Sequence, residues 1–135
     1  MIKSLNILLI EDDTIEVMKF KRVLKALALN HKITEANNGE DALQILKVKE
    51  NIPDIIVLDL NMPKLNGLEF LAILKNDKIL KYIPSIILTT SGNQKDILEC
   101  YKIGIAGYIL KPLKYDDYLD RIKRLVDYWS CNELI

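Results

Sequence analysis

A chain of 135 residues, half of them hydrophobic, has the size of one domain and can build a core without disulfides or a structural metal. Its 19 Lys and Arg balance 19 Asp and Glu, which argues against a nucleic-acid or membrane-surface binder, since both need a basic excess. The two cysteines, Cys100 and Cys131, have no CxxC spacing and read as reduced thiols of a cytoplasmic protein.

The chain opens on a short apolar run, residues 5–10, with acids directly behind it. That run is too short for a secretory signal or a membrane span. Strand-like and helix-like segments then alternate. The predicted strands are residues 5–10, 32–36, 55–59, 85–89 and 107–110. The first, third and fourth are almost unbroken apolar runs, the pattern of central parallel strands covered on both faces. Residues 32–36, Lys-Ile-Thr-Glu-Ala, are more polar and suit a sheet edge. In the first helix Val17, Phe20, Leu24 and Leu27 share a face. Leu119, Ile122, Val126 and Trp129 do so in the last. Asp13 with Glu16, and Asn66 with Glu69, read as capping pairs. Asn38-Gly39 opens the second helix, and Gly104 ends the fourth. His31 lies in a polar stretch and reads as a solvated loop residue. The alternation predicts βαβ units, right-handed crossovers and a doubly wound parallel sheet in one domain, residues 1–135, with no output domain after the last helix.

In such sheets ligands bind beyond the carboxyl ends of the strands. The first strand is followed by Glu11, Asp12 and Asp13. The third ends in Asp59, and the fourth ends in Thr89, followed by Thr90 and Ser91. The fifth is followed by Lys111 and Pro112. Crowded carboxylates repel one another, and a hard divalent cation relieves the conflict; an all-oxygen set suits Mg²⁺. A carboxylate such as Asp59 can act as a nucleophile and form an aspartyl phosphate. The metal and Lys111 would neutralise the transferring charge, and Thr89 would hydrogen-bond the phosphoryl group only once it has arrived. Taken singly these residues read as helix caps, a strand-end threonine and a surface lysine; their joint order at four strand ends carries the signal.

These motifs together resemble the receiver domains of two-component response regulators. The segments that carry the likeness are Ile7 to Asp13, Asp54 to Pro63 followed by Asn66-Gly67, Pro84 to Thr90, and Gly107 to Pro112. The resemblance implies an α/β, flavodoxin-like fold with five parallel strands in the order 2-1-3-4-5 and five helices. It implies Asp59 as phosphoacceptor from a histidine kinase. Mg²⁺ would sit on Asp12, Asp59 and the backbone carbonyl of Asn61, with Glu11 holding a coordinating water. Thr89 is the implied switch hydroxyl, Lys111 the phosphate-binding lysine, and Tyr108 the aromatic that turns inward with Thr89. Asn61 and Ser91 occupy the positions that tune dephosphorylation, and the bond before Pro112 is expected to be cis. Alanine often follows the switch threonine in the family; Thr90, bulkier and β-branched, would narrow access to Asp59. The Thr89-Thr90-Ser91 run and the Tyr128-Trp129 end look similar to stand-alone receivers paired with phytochrome-type kinases.

The expected partners are a sensor histidine kinase or histidine phosphotransferase, and a downstream protein. The latter would dock on the fourth helix, fifth strand and fifth helix, carrying Ile97, Tyr101, Tyr108, Tyr115 and Tyr118. A homodimer on that face is the other output, and the chain is not expected to be an enzyme on external substrates. Three rival readings remain. A flavodoxin-type electron carrier would need a hydroxyl- and Gly-rich first loop in place of Glu11-Asp12-Asp13. A phosphatase of the haloacid dehalogenase type would need an aspartate where Asn61 stands. A degenerate receiver would be only a binding module.

Overall fold

The structure is a computed structural model, and it describes residues 3–48, 50 and 52–135. Five strands, β1 (Asn6–Ile10), β2 (Lys32–Ala36), β3 (Ile55–Leu58), β4 (Ser85–Thr89) and β5 (Gly107–Leu110), alternate with five helices. The helices are α1 (Thr14–Ala26), α2 (Gly39–Lys47), α3 (Gly67–Lys75), α4 (Gln94–Ile103) and α5 (Tyr115–Ser130), and a short 3₁₀ turn, Leu80–Tyr82, precedes β4. All strand pairs are parallel, in the order β2-β1-β3-β4-β5. The expected flavodoxin-like, doubly wound sheet is therefore present, with the polar β2 at an edge.

Strand side chains alternate between two cores because their period is two. Leu8, Ile10, Ile56, Leu58 and Ile87 face α2, α3 and α4, where they meet Leu46, Phe70, Leu74 and Cys100. Ile7, Leu9, Ile55, Val57, Ile86 and Leu88 face α1 and α5, where they meet Phe20, Val23, Ile122 and Val126. Two apolar faces explain the unbroken hydrophobic runs of the central strands. Burial also makes the Cys100 thiol a structural group, pushed up to about 11 by desolvation and then by Asp96 and Glu99.

Helix ends follow their caps. Asn66 and Glu69 form the reciprocal capping box the spacing predicts. Asn38 caps α2 through the Asp41 N–H. Gly104 ends α4 at φ 112°, a left-handed conformation that a side chain would strain. Asp13 caps α1 by accepting from the Ile15 N–H, but Glu16 does not return the bond; its carboxylate faces Lys111 instead.

His31 corrects the expectation of a solvated loop residue. It is half-buried, and its Nδ1 accepts a hydrogen bond from the Leu5 N–H at 2.9 Å, just ahead of β1. That bond needs neutral imidazole with the proton on Nε2. Burial pulls the His31 pKa below its ordinary value, and the charge of Asp127 opposes this only in part. The unfolded chain therefore takes up a proton first as pH falls, so stability present above about pH 6.5 is lost as pH drops below it. Urea unfolding at pH 7.5 and 5.5 should show this loss in the wild type. His31→Asn, whose amide oxygen keeps the acceptor without titrating, should lose less; equal losses would exclude His31 as the source.

Candidate functional site

The carboxyl ends of β1, β3, β4 and β5 converge on one edge of the sheet, and backbone bonds between strand ends set their height. The Glu11 N–H donates to the Ala36 carbonyl at 3.0 Å, Asp59 to Ile10 at 3.1 Å, and Lys111 to Thr89 at 2.8 Å. The side chains just past the strands inherit these positions from the ladder, not from mobile loops.

Carboxylate oxygens of Glu11, Asp12 and Asp59 lie within 4.8 Å of one another. Glu11 is buried, Asp59 half-buried and Asp12 exposed, so the cluster opens to solvent on one side. Lys111 reaches in from the far end of the sheet. Its Nζ lies 2.7 Å from Glu11 Oε1 and 3.6 Å from Glu16 Oε2. The Lys111 and Glu11 side chains are only 6% and 5% exposed. Burial pushes the Glu11 carboxyl up, and the Lys111 contact offsets only part of this while Asp59 adds to it. Burial pulls the Lys111 ammonium down, but Glu11, Asp59 and Glu16 together hold it above its ordinary value. The two shifts differ in origin: burial dominates at Glu11, and at Lys111 the carboxylates that share this one cation outweigh burial. An all-oxygen, acid-rich set with this excess of negative charge fits Mg²⁺.

Asp59 Oδ1 accepts from the Leu60 N–H at 2.8 Å, while Oδ2 accepts no hydrogen bond among the described residues. Asn61 is exposed in the loop that follows. Thr89 is fully buried, and its Oγ1 accepts a long bond of 3.4 Å from the Ser91 N–H. Thr90, next to it, is exposed. The Tyr108 hydroxyl donates to the Ser91 carbonyl at 2.7 Å, and the Ser91 hydroxyl donates to Asp96 of α4 at 3.0 Å. Burial raises the Tyr108 phenol.

Three expectations are corrected. The Lys111–Pro112 bond is trans, as no peptide bond among the described residues is cis; trans is the default even before proline, and here it already delivers the Lys111 ammonium to Glu11. Tyr118 is not a surface residue. It is 1% exposed in the core beneath α1 and α5, with the Lys19 ammonium 4.2 Å above its ring. Tyr115 lines a shallow cavity with Ile15, Met18 and Arg22 of α1, so it lies on the α1 side of α5. Ile97, Tyr101 and Tyr108 remain on the α4–β5 side. Two contacts were not foreseen. Asp96 takes the Ser91 hydroxyl, and Glu16 faces Lys111. The available signal for Glu16 was its place in the first turn of the helix that starts beside the acid cluster.

The sequence profile of the response regulator receiver domain matches residues 7–123. The chain belongs to this family. Receiver domains are phosphorylation switches that bind Mg²⁺ and work with histidine kinases and downstream targets. Among relatives, the probable methanogenesis regulatory protein FilR2 of Methanothrix harundinacea is 32% identical over 91% of this chain and 82% of its own length. Response regulator Rcp1 of Synechocystis sp. is 33% identical over 91% of this chain and 87% of its own. The crystal structure of the phosphorylated cyanobacterial phytochrome response regulator RcpA superposes with a TM-score of 0.90 at 30% identity, covering 98% of this chain and 99% of that one. The Mn²⁺-bound form of Rcp1 does so with a TM-score of 0.88 at 30% identity, covering 97% and 99%. No helix among the described residues is long and apolar enough to cross a membrane.

The loop that starts at Asp59 is held by close packing on α3. A Cβ placed on Gly67 would lie 2.7 Å from the Asp59 carbonyl oxygen and 2.8 Å from Leu60 Cα, both backbone atoms. Gly67→Ala should therefore push the Asp59–Leu60 backbone aside and destabilise the domain by about 1–3 kcal/mol. Urea unfolding reads the loss and the Leu60 amide resonance reads the displacement; a variant unchanged in both would show that the loop yields freely.

Proposed function

We propose that Asp59 accepts a phosphoryl group from a histidine kinase or histidine phosphotransferase, and that the chain passes the signal on by protein contact. The carrying observation is the convergence of Glu11, Asp12 and Asp59 within 4.8 Å, with Lys111 drawn into the same acids. Asp12, Asp59, the Asn61 carbonyl and, through water, Glu11 would hold Mg²⁺. When bound, the metal supplies charge neutralisation for the transferring phosphoryl oxygens.

The chain's own residues do the rest. A carboxylate oxygen of Asp59 attacks phosphorus; the O–P bond forms as the P–N bond of the phosphohistidine breaks, and the imidazole leaves with a proton. The Leu60 N–H, bonded to Asp59 Oδ1 at 2.8 Å, fixes the carboxylate plane. Lys111 then exchanges part of its contact with Glu11 for a phosphoryl oxygen. Thr89 has its hydroxyl proton to offer, because among the described residues Oγ1 accepts a long bond from the Ser91 N–H and donates none. Moving Thr89 loosens Ser91, to which Tyr108 and Asp96 are tied, so the event reaches α4. Asn61 and Ser91 would set how fast the acyl phosphate hydrolyses. The chain turns over only its own phosphoaspartate. The α4–β5–α5 side, with Tyr101 and Leu98 exposed, is the proposed docking face for a downstream protein or a second copy.

Intact mass after incubation with Mg²⁺ and acetyl phosphate tests the reading. One phosphoryl adduct should form on the wild type, and none on Asp59→Asn or after chelation. Adduct formation that survives Asp59→Asn would overturn the assignment. Thr89→Ala should still label but should lose most of the phosphorylation-dependent shift of the Ser91 and Tyr108 resonances. A full shift in that variant would remove Thr89 from the relay.

A further inference from the structure

Glu16 stands apart from the oxygen cluster. It lies in the first turn of α1, where an acidic side chain is favoured by the helix dipole. It is not part of a capping box. Its Oε2 is buried and accepts no hydrogen bond among the described residues. A buried carboxylate oxygen without a donor is costly, and it persists where another interaction holds it. Lys19, one turn on, is engaged over the Tyr118 ring at 4.2 Å. The cation that faces Glu16 Oε2 is Lys111, at 3.6 Å. That separation is too long for a hydrogen bond and short enough for a strong charge contact.

We propose that Glu16 is a positioning residue for Lys111, a second carboxylate that holds the ammonium on the α1 side of the cleft and competes with an incoming phosphoryl group for it. The consequence for phosphorylation rests on reading Asp59 as the phosphoacceptor; the contact itself rests on geometry alone. Lys111 has three N–H donors. Glu11 takes one at 2.7 Å. The others are what a phosphoryl group on Asp59 must recruit, and Glu16 draws them the other way. Its negative charge also adds to the repulsion met by a dianionic donor. Glu16 thus trades speed of phosphorylation for a fixed resting place of the lysine.

The ammonium signal of Lys111, read by ¹⁵N NMR on the full chain without any donor, tests the contact. Glu16→Gln should shift the signal and speed its hydrogen exchange, and Glu16→Asp should stay nearer the wild type. An unmoved signal in Glu16→Gln overturns the proposal. Labelling by acetyl phosphate with Mg²⁺ tests the consequence. At subsaturating donor Glu16→Gln should label about fivefold faster, the scale of one partly screened charge pair. The gain should come from a lower half-saturating concentration and not from a higher maximum rate. It should shrink with phosphoramidate, which carries less negative charge. A gain equal for both donors, or reproduced by Glu16→Asp, is a packing effect and overturns the proposal. If the wild type takes no phosphoryl group while Lys111 still responds to Glu16, the Asp59 reading fails and the positioning contact stands.

Discussion

The buried pair of Lys111 and Glu11, 2.7 Å apart, ties the end of β5 to the end of β1 across the whole site. It is the constraint on which the rest depends. A buried ammonium persists only with an anion beside it, and a buried carboxylate only with a cation. Here the numbers are unequal: Glu11, Asp59 and Glu16 act on one lysine, and Asp12 adds a further carboxylate beside Glu11 and Asp59. The local structure is therefore satisfied only in part by the chain, and the remaining demand is for positive charge from outside. That demand makes the site receptive to a hard cation, and through it to an anion.

Apolar packing makes this arrangement affordable. The central strands are buried on both faces by two separate cores, so they cannot slide by one residue without turning every side chain to the opposite core. Register then fixes the strand ends, and the strand ends fix the acids. Gly67 acts at the same level. By letting α3 approach the Asp59 carbonyl, it removes slack from the one loop between the phosphoacceptor candidate and the next helix.

Much of this was legible from the order of residues. Continuous apolar runs marked β1, β3 and β4 as central, and the polar β2 marked an edge, because burial on two faces leaves no room for alternation. The acids, Thr89 and Lys111 were legible because strand ends in a parallel sheet share one edge. What escaped was three-dimensional in origin. Glu16 looked like half of a capping pair, since spacing alone cannot say whether a side chain folds back on its helix or reaches a lysine 95 positions later. His31 looked solvated because its partner, the Leu5 N–H, lies 26 residues away. Tyr118 looked like a surface tyrosine, but the helical period puts it on the buried stripe of α5 with Ile122, Leu125 and Val126. The peptide bond before Pro112 was expected to be cis by likeness to the family, and no local pattern in this chain speaks to it.

The same geometry explains how a local event can leave the site. Thr89 is buried and cannot itself be touched by a partner. Ser91, two residues on, makes three hydrogen bonds with three different groups: its N–H to Thr89, its carbonyl to Tyr108 and its hydroxyl to Asp96. The weakest of the three, at 3.4 Å, is the one that a displaced Thr89 would give up first. The two stronger ones connect to β5 and α4. Under the proposed switch, a Ser91 released from Thr89 would shift together with Tyr108 and Asp96, to which it stays bonded.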